Sequence, residues 1–245
     1  MKASLTIKEQ KEFYNKRWEK LQFINRLKLS RCIAILEAIA ATRLIKPKII
    51  DLGCGAGWLA AIVGLFGPTV GVDLSESAIK EASKKYSYVQ FIAENILEWD
   101  YPQANFDIVI SHEVIEHISN FKDQERYLEI ASGLLCDGGY LILTTPNADL
   151  INTLPQEIRN SLLSQPIENV ITVKKLRSML SDRFEIIDLK TIVPFHKSVG
   201  VNKIMNWQVI RSIMAKMQME MIFDKIWLKL GYGLHTFVVA RKILR

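Results

Sequence analysis

Lys48-Ile-Ile-Asp-Leu-Gly-Cys-Gly-Ala-Gly-Trp-Leu-Ala60 is the stretch that decides the fold. Ile49 and Ile50 are apolar and β-branched. Gly53, Gly55 and Gly57 then break the run, and an apolar, Ala-rich segment follows from Trp58 to Phe66. This order predicts a buried strand, a tight turn and a helix. Glycines let the backbone come close to a ligand because no Cβ intervenes. The start of a helix adds free N–H groups and a partial positive charge. The turn therefore has the make-up of a nucleotide cradle.

Spacing removes two other glycine cradles. A dinucleotide fingerprint G-x-G-x-x-G starting at Gly53 needs glycine at position 58, where Trp58 stands. No G-x-x-x-x-G-K-[ST] occurs, which removes a P-loop. Asp73 ends the next apolar segment, Thr69-Val-Gly-Val-Asp73, 20 residues after Gly53. A carboxylate at the tip of a second strand can accept hydrogen bonds from both ribose hydroxyls. A turn that only packs a helix on a strand has no use for that acid. Asp51-Leu-Gly-Cys-Gly-Ala-Gly57 resembles the first motif of the class I S-adenosylmethionine (SAM)-dependent methyltransferases.

A chain of 245 residues suffices for one large domain or two small ones, and 49% apolar residues can fill a sizeable core. Cys32, Cys54 and Cys136 are odd in number, and no pair has zinc spacing, which predicts free thiols in a reducing compartment. The first twenty residues are charged throughout and lack the apolar stretch of a secretion signal. No run reaches transmembrane length without a charge or a breaker, so a cytoplasmic protein is expected. Charge is segregated along the chain. Residues 1–50 hold 12 basic against 4 acidic residues, 51–150 hold 5 against 15, and 151–245 hold 15 against 7. An acidic middle suits a sulfonium cation. Basic flanks suit an anionic acceptor, an RNA or a membrane surface, or they are the solvated faces of flanking helices.

Residues 8–42 read as helical, with Phe13, Trp18, Leu21, Phe23, Ile24, Leu27 and Leu29 as an apolar face. Ser30 is the expected cap of a second helix, Arg31–Ala41. Strands are expected at about 48–52, 69–73, 88–92, 106–111 and 139–145, with Asp137-Gly138-Gly139 as the turn before the fifth. Helical segments between them give an α/β alternation with a parallel sheet. Phe184–Val193 and Leu234–Lys242 are further β-rich runs and resemble the terminal antiparallel pair of the methyltransferase sheet. The resemblance implies a Rossmann-like, seven-stranded, mostly parallel sheet with an antiparallel last strand and helices on both faces. Three regions are expected: a helical arm over 1–46, a SAM-binding core over 47–193 and 232–245, and an insertion over 194–231.

Phe106-Asp-Ile-Val-Ile-Ser-His-Glu-Val-Ile-Glu-His-Ile118 strengthens the resemblance. Together with Asp51–Gly57 and Asp73, it is similar to the ubiquinone-biosynthesis O-methyltransferases and their wide kin over about residues 18–193. In that family an arginine after Asn in the N-terminal arm contacts the SAM carboxylate. Asn25 and Arg31 stand in a comparable place with longer spacing. Glu94 matches the acid beside the adenine, with Asn95 next to it, and His112 matches a position whose backbone lines the SAM pocket. The implied cofactor set is completed by Asp51, Gly53, Cys54, Gly55, Asp73 and Leu74.

If a helix starts near Ser111, then Glu113, Glu116 and His117 share one face and could hold Mg²⁺ or Mn²⁺. Related methyltransferases complete such a site with a later histidine. Here the corresponding stretch is Glu168-Asn169-Val170, so no metal is expected. Methyl transfer needs little beyond proximity and orientation, and a hydroxyl acceptor also needs a base. His112 and His117 are the imidazoles nearest the motif and the expected catalytic residues.

Within the insertion, Trp207, Ile210, Met214, Met217 and Met221 fall on one helical stripe. Lys203, Arg211, Lys216, Lys225 and Lys229 make the segment basic. It serves as core packing, as a lid over an apolar acceptor, or as a contact to a membrane surface or second subunit. The expected function is methylation of a small, partly apolar, hydroxylated acceptor by SAM, leaving S-adenosylhomocysteine (SAH). RNA ribose methylation, and a SAM-binding partner protein without catalysis, are the alternatives.

Overall fold

The computed structural model of the chain describes residues 5–18, 24–195, 212 and 220–244. Its strands are β1 (Ile49–Leu52), β2 (Thr69–Asp73), β3 (Gln90–Ala93), β4 (Phe106–His112), β5 (Leu135–Pro146), β6 (Phe184–Pro194) and β7 (Gly233–Lys242). They form one sheet in the order β3-β2-β1-β4-β5-β7-β6. β1 to β5 pair in parallel, and β7 runs antiparallel to both β5 and β6.

The central strands are rich in apolar residues on both faces, because both sheet faces are covered. Side chains alternate between two cores. Ile50, Leu52 and Val109 pack with Tyr127, Leu128, Leu134 and Leu180 on one face. Ile49, Ile108 and Ile110 pack with Ile35, Ile39, Leu59 and Val63 on the other. The helices that supply these side chains include α2 (Arg26–Ala41), α3 (Trp58–Val63) and α5 (Phe121–Leu134). In front of α2 lies α1 (Ile7–Trp18), and α4 (Glu76–Lys85) follows β2.

Several local expectations need correction. Asn25, not Ser30, caps α2: its side chain accepts from Lys28 N at 2.9 Å, while Ser30 Oγ donates to the carbonyl of Arg26. Asn is as good a cap as Ser, and it stands one turn earlier. The expected apolar face fails at Ile24, Leu27 and Leu29, which are exposed, because the buried stripe of α2 begins only at Arg31 and Cys32. β5 starts at Leu135, which pairs with Phe106, so Asp137–Gly139 is an irregularity within the strand rather than a turn before it. No α-helix starts at Ser111. β4 continues to His112, Glu113 adopts φ +59°, and a single 3₁₀ turn spans Ile115–His117. The side chains of the stripe from Trp207 to Met221 lie outside the described residues.

No helix among the described residues is long and apolar enough to cross a membrane.

Candidate functional site

A cavity of about 370 Å³ opens where the parallel strands end. Ligands of open α/β sheets bind at this edge, outside the carboxyl ends of the strands. The loop after β1 brings Gly53 and Cys54, β2 brings Asp73 and Leu74, and the end of β3 brings Glu94 and Asn95. β4 brings His112 and Glu113, and the start of antiparallel β7 delivers Leu234 and His235 to the same edge.

The glycine turn is locked by its neighbours. Gly53, Gly55 and Gly57 all have positive φ, a region L side chains rarely adopt. Asp73 ties the turn down: Oδ2 accepts from Gly55 N and Oδ1 from Ser75 N, both at 2.8 Å. Gly55 itself does not line the cavity. Its face is covered by the Trp18 ring, and a Cβ built there would lie 2.4 Å from that ring. α1 is fastened across the cavity by Lys11 to Glu76 and by Asn15, which accepts from Ser75 Oγ at 2.7 Å.

The cofactor half is acidic and its polar atoms are incompletely paired. Asp51 Oδ2 and Asn95 Nδ2 are buried with no hydrogen-bond partner in the structure. Burial, and then Asp73 nearby, push the Asp51 carboxyl up to about 8. Buried orphan polar atoms beside a cavity fit a polar, cationic ligand that completes them. A nucleoside carrying an amino-acid arm and a positive centre, as in SAM, meets that description.

The other half combines charge with apolar walls. Arg31 lines the cavity, but its Nε donates to His112 Nε2 at 3.0 Å, and its Nη1 lies 3.1 Å from His235 Nε2. Burial pushes the His112 imidazole down to about 3. Arg17 and Lys28 enter from α1 and α2, and burial with the two arginines lowers the Lys28 ammonium. Pro146, Ile151, Leu162 and Leu163 supply the apolar wall.

Glu113, Glu116 and His117 line the cavity without converging on one point. Thr144 Oγ1 donates to Glu113 Oε1, and His235 Nε2 sits 3.0 Å from Glu113 Oε2. Burial alone would raise the Glu113 carboxyl, but His235 and Arg31 pull it well below the usual carboxylate range. Glu116 is buried and accepts from Thr145 Oγ1 at 3.0 Å; burial and then Glu113 raise it well above that range. His117 Nδ1 faces the Ile167 carbonyl at 2.9 Å, and its Nε2 faces Gln165 at 2.7 Å. Asn169 donates to the carbonyls of Ile118 and Ser119. Among the described residues, no group of three His, Cys, Asp or Glu side chains is placed to hold a metal ion. The described residues do not fit one.

Of the residues singled out from sequence, Arg31, Asp51, Gly53, Cys54, Asp73, Leu74, Glu94, Asn95, His112, Glu113, Glu116 and His117 line this one cavity, and Gly55 lies behind it. Sequence reasoning missed Tyr14, Arg17, Lys28 and His235. His235 stands at the start of a strand that had been read. A last strand running antiparallel must begin at the edge where its parallel neighbours end, and that was the available signal.

A family model described as a methyltransferase domain matches residues 46–189. A probable S-adenosylmethionine-dependent methyltransferase of Mycobacterium tuberculosis is 30% identical over 108 residues, 44% of this chain and 38% of that protein. The ubiquinone biosynthesis O-methyltransferase of Maricaulis maris is 34% identical over 108 residues, 41% of each chain. The match spans about two fifths of the length of these relatives. Among solved structures, N-methyltransferase NodS of Bradyrhizobium japonicum with bound SAH superposes with TM-score 0.65 at 10% identity, covering 95% of this chain and 97% of that one. Magnesium protoporphyrin IX methyltransferase of Synechocystis with bound SAH gives TM-score 0.62 at 14% identity over 96% and 98%. The two structures share the fold.

Proposed function

Since the chain belongs to the class I SAM-dependent methyltransferase family, we propose that it transfers a methyl group from SAM to an oxygen of a small, partly apolar, hydroxylated acceptor. The observation that carries this reading is the continuity of the cavity. It runs from Asp51, Asp73 and Glu94 at the acidic end to Pro146, Ile151, Leu162 and Leu163 at the apolar end. One ligand at each end would meet in the middle, beside His112 and Glu113. The name of the Maricaulis maris relative lends support to oxygen as the atom modified.

Asp73 would hold the ribose hydroxyls, since each oxygen keeps a lone pair beyond its backbone hydrogen bond. Asp51 and Asn95 would take the polar groups that satisfy their orphan atoms. SAM supplies an activated methyl group on a sulfonium. The chain's own task is to orient the acceptor against it and to exclude water, which α1 does by lying across the opening. His112 and His117 would position the acceptor between the two ends.

The test is incubation with methyl-labelled SAM and catechols or phenols of graded apolarity. Label recovered in an aryl methyl ether supports the reading. Label recovered in RNA would make the chain an RNA methyltransferase. Tight SAH binding with no label transferred to anything would make it a SAM-binding partner protein.

A further inference from the structure

We infer that the sheet edge opposite the cavity docks on an anionic lipid surface, through three neighbouring loops that carry exposed apolar side chains among basic ones. The inference concerns where the protein sits. It goes beyond the methyl-transfer reading and holds whichever acceptor is methylated. β1, β2 and β3 are parallel neighbours in the sheet, so the loops leading into them lie side by side at its amino edge. The cavity opens at the other edge, where these strands end.

Each loop holds an apolar tip out in water. The loop before β1 leaves α2 at Thr42, whose Oγ1 donates to the Ile39 carbonyl at 2.7 Å and accepts from Leu44 N at 3.3 Å. Arg43 and Lys46 adopt φ of +57° and +51°, the left-handed region that L side chains rarely occupy. These two residues bracket Leu44 and Ile45 at the loop tip, and Ile45 is 92% exposed. The loop before β2 presents Leu65, 80% exposed, and Phe66 beside it. It lies against the first loop, since a Cβ on Gly67 would collide with the Pro47 carbonyl oxygen. In the loop before β3, Tyr88 is exposed too, and its hydroxyl donates to the Ala61 carbonyl in the last turn of α3.

Charge says what covers this patch. Residues 42–48, 64–68 and 85–89 include Arg43, Lys46, Lys48 and Lys85 and contain no Asp or Glu. A neighbouring acid is Asp107 at the start of β4, which accepts from Lys48 N at 2.8 Å. Single exposed apolar residues are ordinary, but Leu44, Ile45, Leu65, Phe66 and Tyr88 on three neighbouring loops make a patch. A protein partner would need a hollow shaped to each tip. A side chain that stands clear on every side, as Ile45 does, suits a fluid apolar layer. Basic residues around such tips meet anionic headgroups, an attraction that fades within a Debye length. With this edge on the lipid, the cavity at the opposite edge faces water.

Co-sedimentation of the full chain with lipid vesicles tests this. We expect binding to phosphatidylcholine vesicles carrying about 30% phosphatidylglycerol, little binding to phosphatidylcholine alone, and release as salt rises to about 0.5 M. Ile45→Asp with Leu65→Asp puts charge on two exposed tips. Melting temperature and SAH affinity should stay as in the unsubstituted chain, while partition onto the anionic vesicles falls at least roughly tenfold. Arg43→Gln with Lys46→Gln keeps the apolar tips and should weaken partition by about tenfold or more. No binding of the unsubstituted chain to either vesicle overturns the proposal. Binding that survives both pairs of substitutions overturns it too, because the lipid contact then lies elsewhere on the chain. Equal binding to neutral and anionic vesicles removes the role of the basic residues and sinks it as well. If the chain ignores vesicles but self-associates, and Ile45→Asp with Leu65→Asp makes it monomeric, the patch is a subunit contact instead.

Discussion

Asp73 accepts the backbone N–H of Gly55 at 2.8 Å, so the acid that ends β2 also clasps the glycine turn that ends β1. Asp73→Ala therefore removes a ligand contact and leaves two buried N–H groups, of Gly55 and Ser75, without acceptors. Calorimetry should show SAH affinity lower by at least roughly tenfold, about 1.4 kcal/mol. The melting temperature should fall as well, since each buried orphan costs about 1–3 kcal/mol. Unchanged affinity in a destabilised variant would reduce Asp73 to a structural clasp.

Gly55 is where arm and core meet. Its φ of +52° and the Trp18 ring both oppose a side chain. Gly55→Ala should weaken SAH binding through two separable costs: the left-handed backbone, about 1–2 kcal/mol, and the clash with Trp18. In a Trp18→Ala background only the first remains, so a double-mutant cycle should give a clearly non-additive result. Strict additivity would mean that α1 does not rest on this glycine in solution.

Asp51 gives a pH signature. Its folded pKa is raised from 3.8 to about 8. A raised acid stabilises the fold fully below its unfolded pKa, and that contribution is lost as pH rises through the folded value. Stability should therefore decline between about pH 4 and pH 8, and Asp51→Asn should remove the decline. The melting temperature of the variant relative to wild type should rise by several degrees between pH 5 and pH 8.5, at roughly 2–4 °C per kcal/mol for a chain of this size. A difference independent of pH would show that Asp51 is ionised throughout.

Divalent ions should find no site. Glu113, Glu116 and His117 each hold partners of their own, and Asn169 donates to two carbonyls where a further ligand would have to stand. Titrating Mg²⁺ or Mn²⁺ into the SAH complex should give no saturable heat. Saturable binding lost in Glu116→Gln would show that these side chains regroup around a metal.

The strands were legible because burial on both faces demands β-branched and apolar runs, as in Ile108-Val109-Ile110. Their ends were less so. Gly138 and Gly139 carry a turn signal, yet pairing of Leu135 with Phe106 draws the strand past them. The turn at Glu113 was hidden for a different reason. A left-handed conformation at a non-glycine residue leaves no mark in composition, so a helical face was expected where the chain reverses. Asp51, Asp73 and Glu94 could be placed because each lies in or just after the last residues of one of three successive strands, where spacing has meaning. The contact of His235 with Glu113 joins residues far apart in the chain, and only the sheet order brings them together.

That same order constrains how the protein is made. Among the described residues β6 lies at the sheet edge, and its one strand neighbour is β7, which comes later in the chain. While the chain leaves the ribosome, β6 must wait for β7 with its hydrogen-bonding groups unpaired, and an open strand edge of that kind invites association between nascent copies. Slow translation before Gly233 should therefore lower the yield of soluble protein more than slow translation elsewhere. The pocket cannot assemble until that wait ends, because the strand that fills the gap also carries His235.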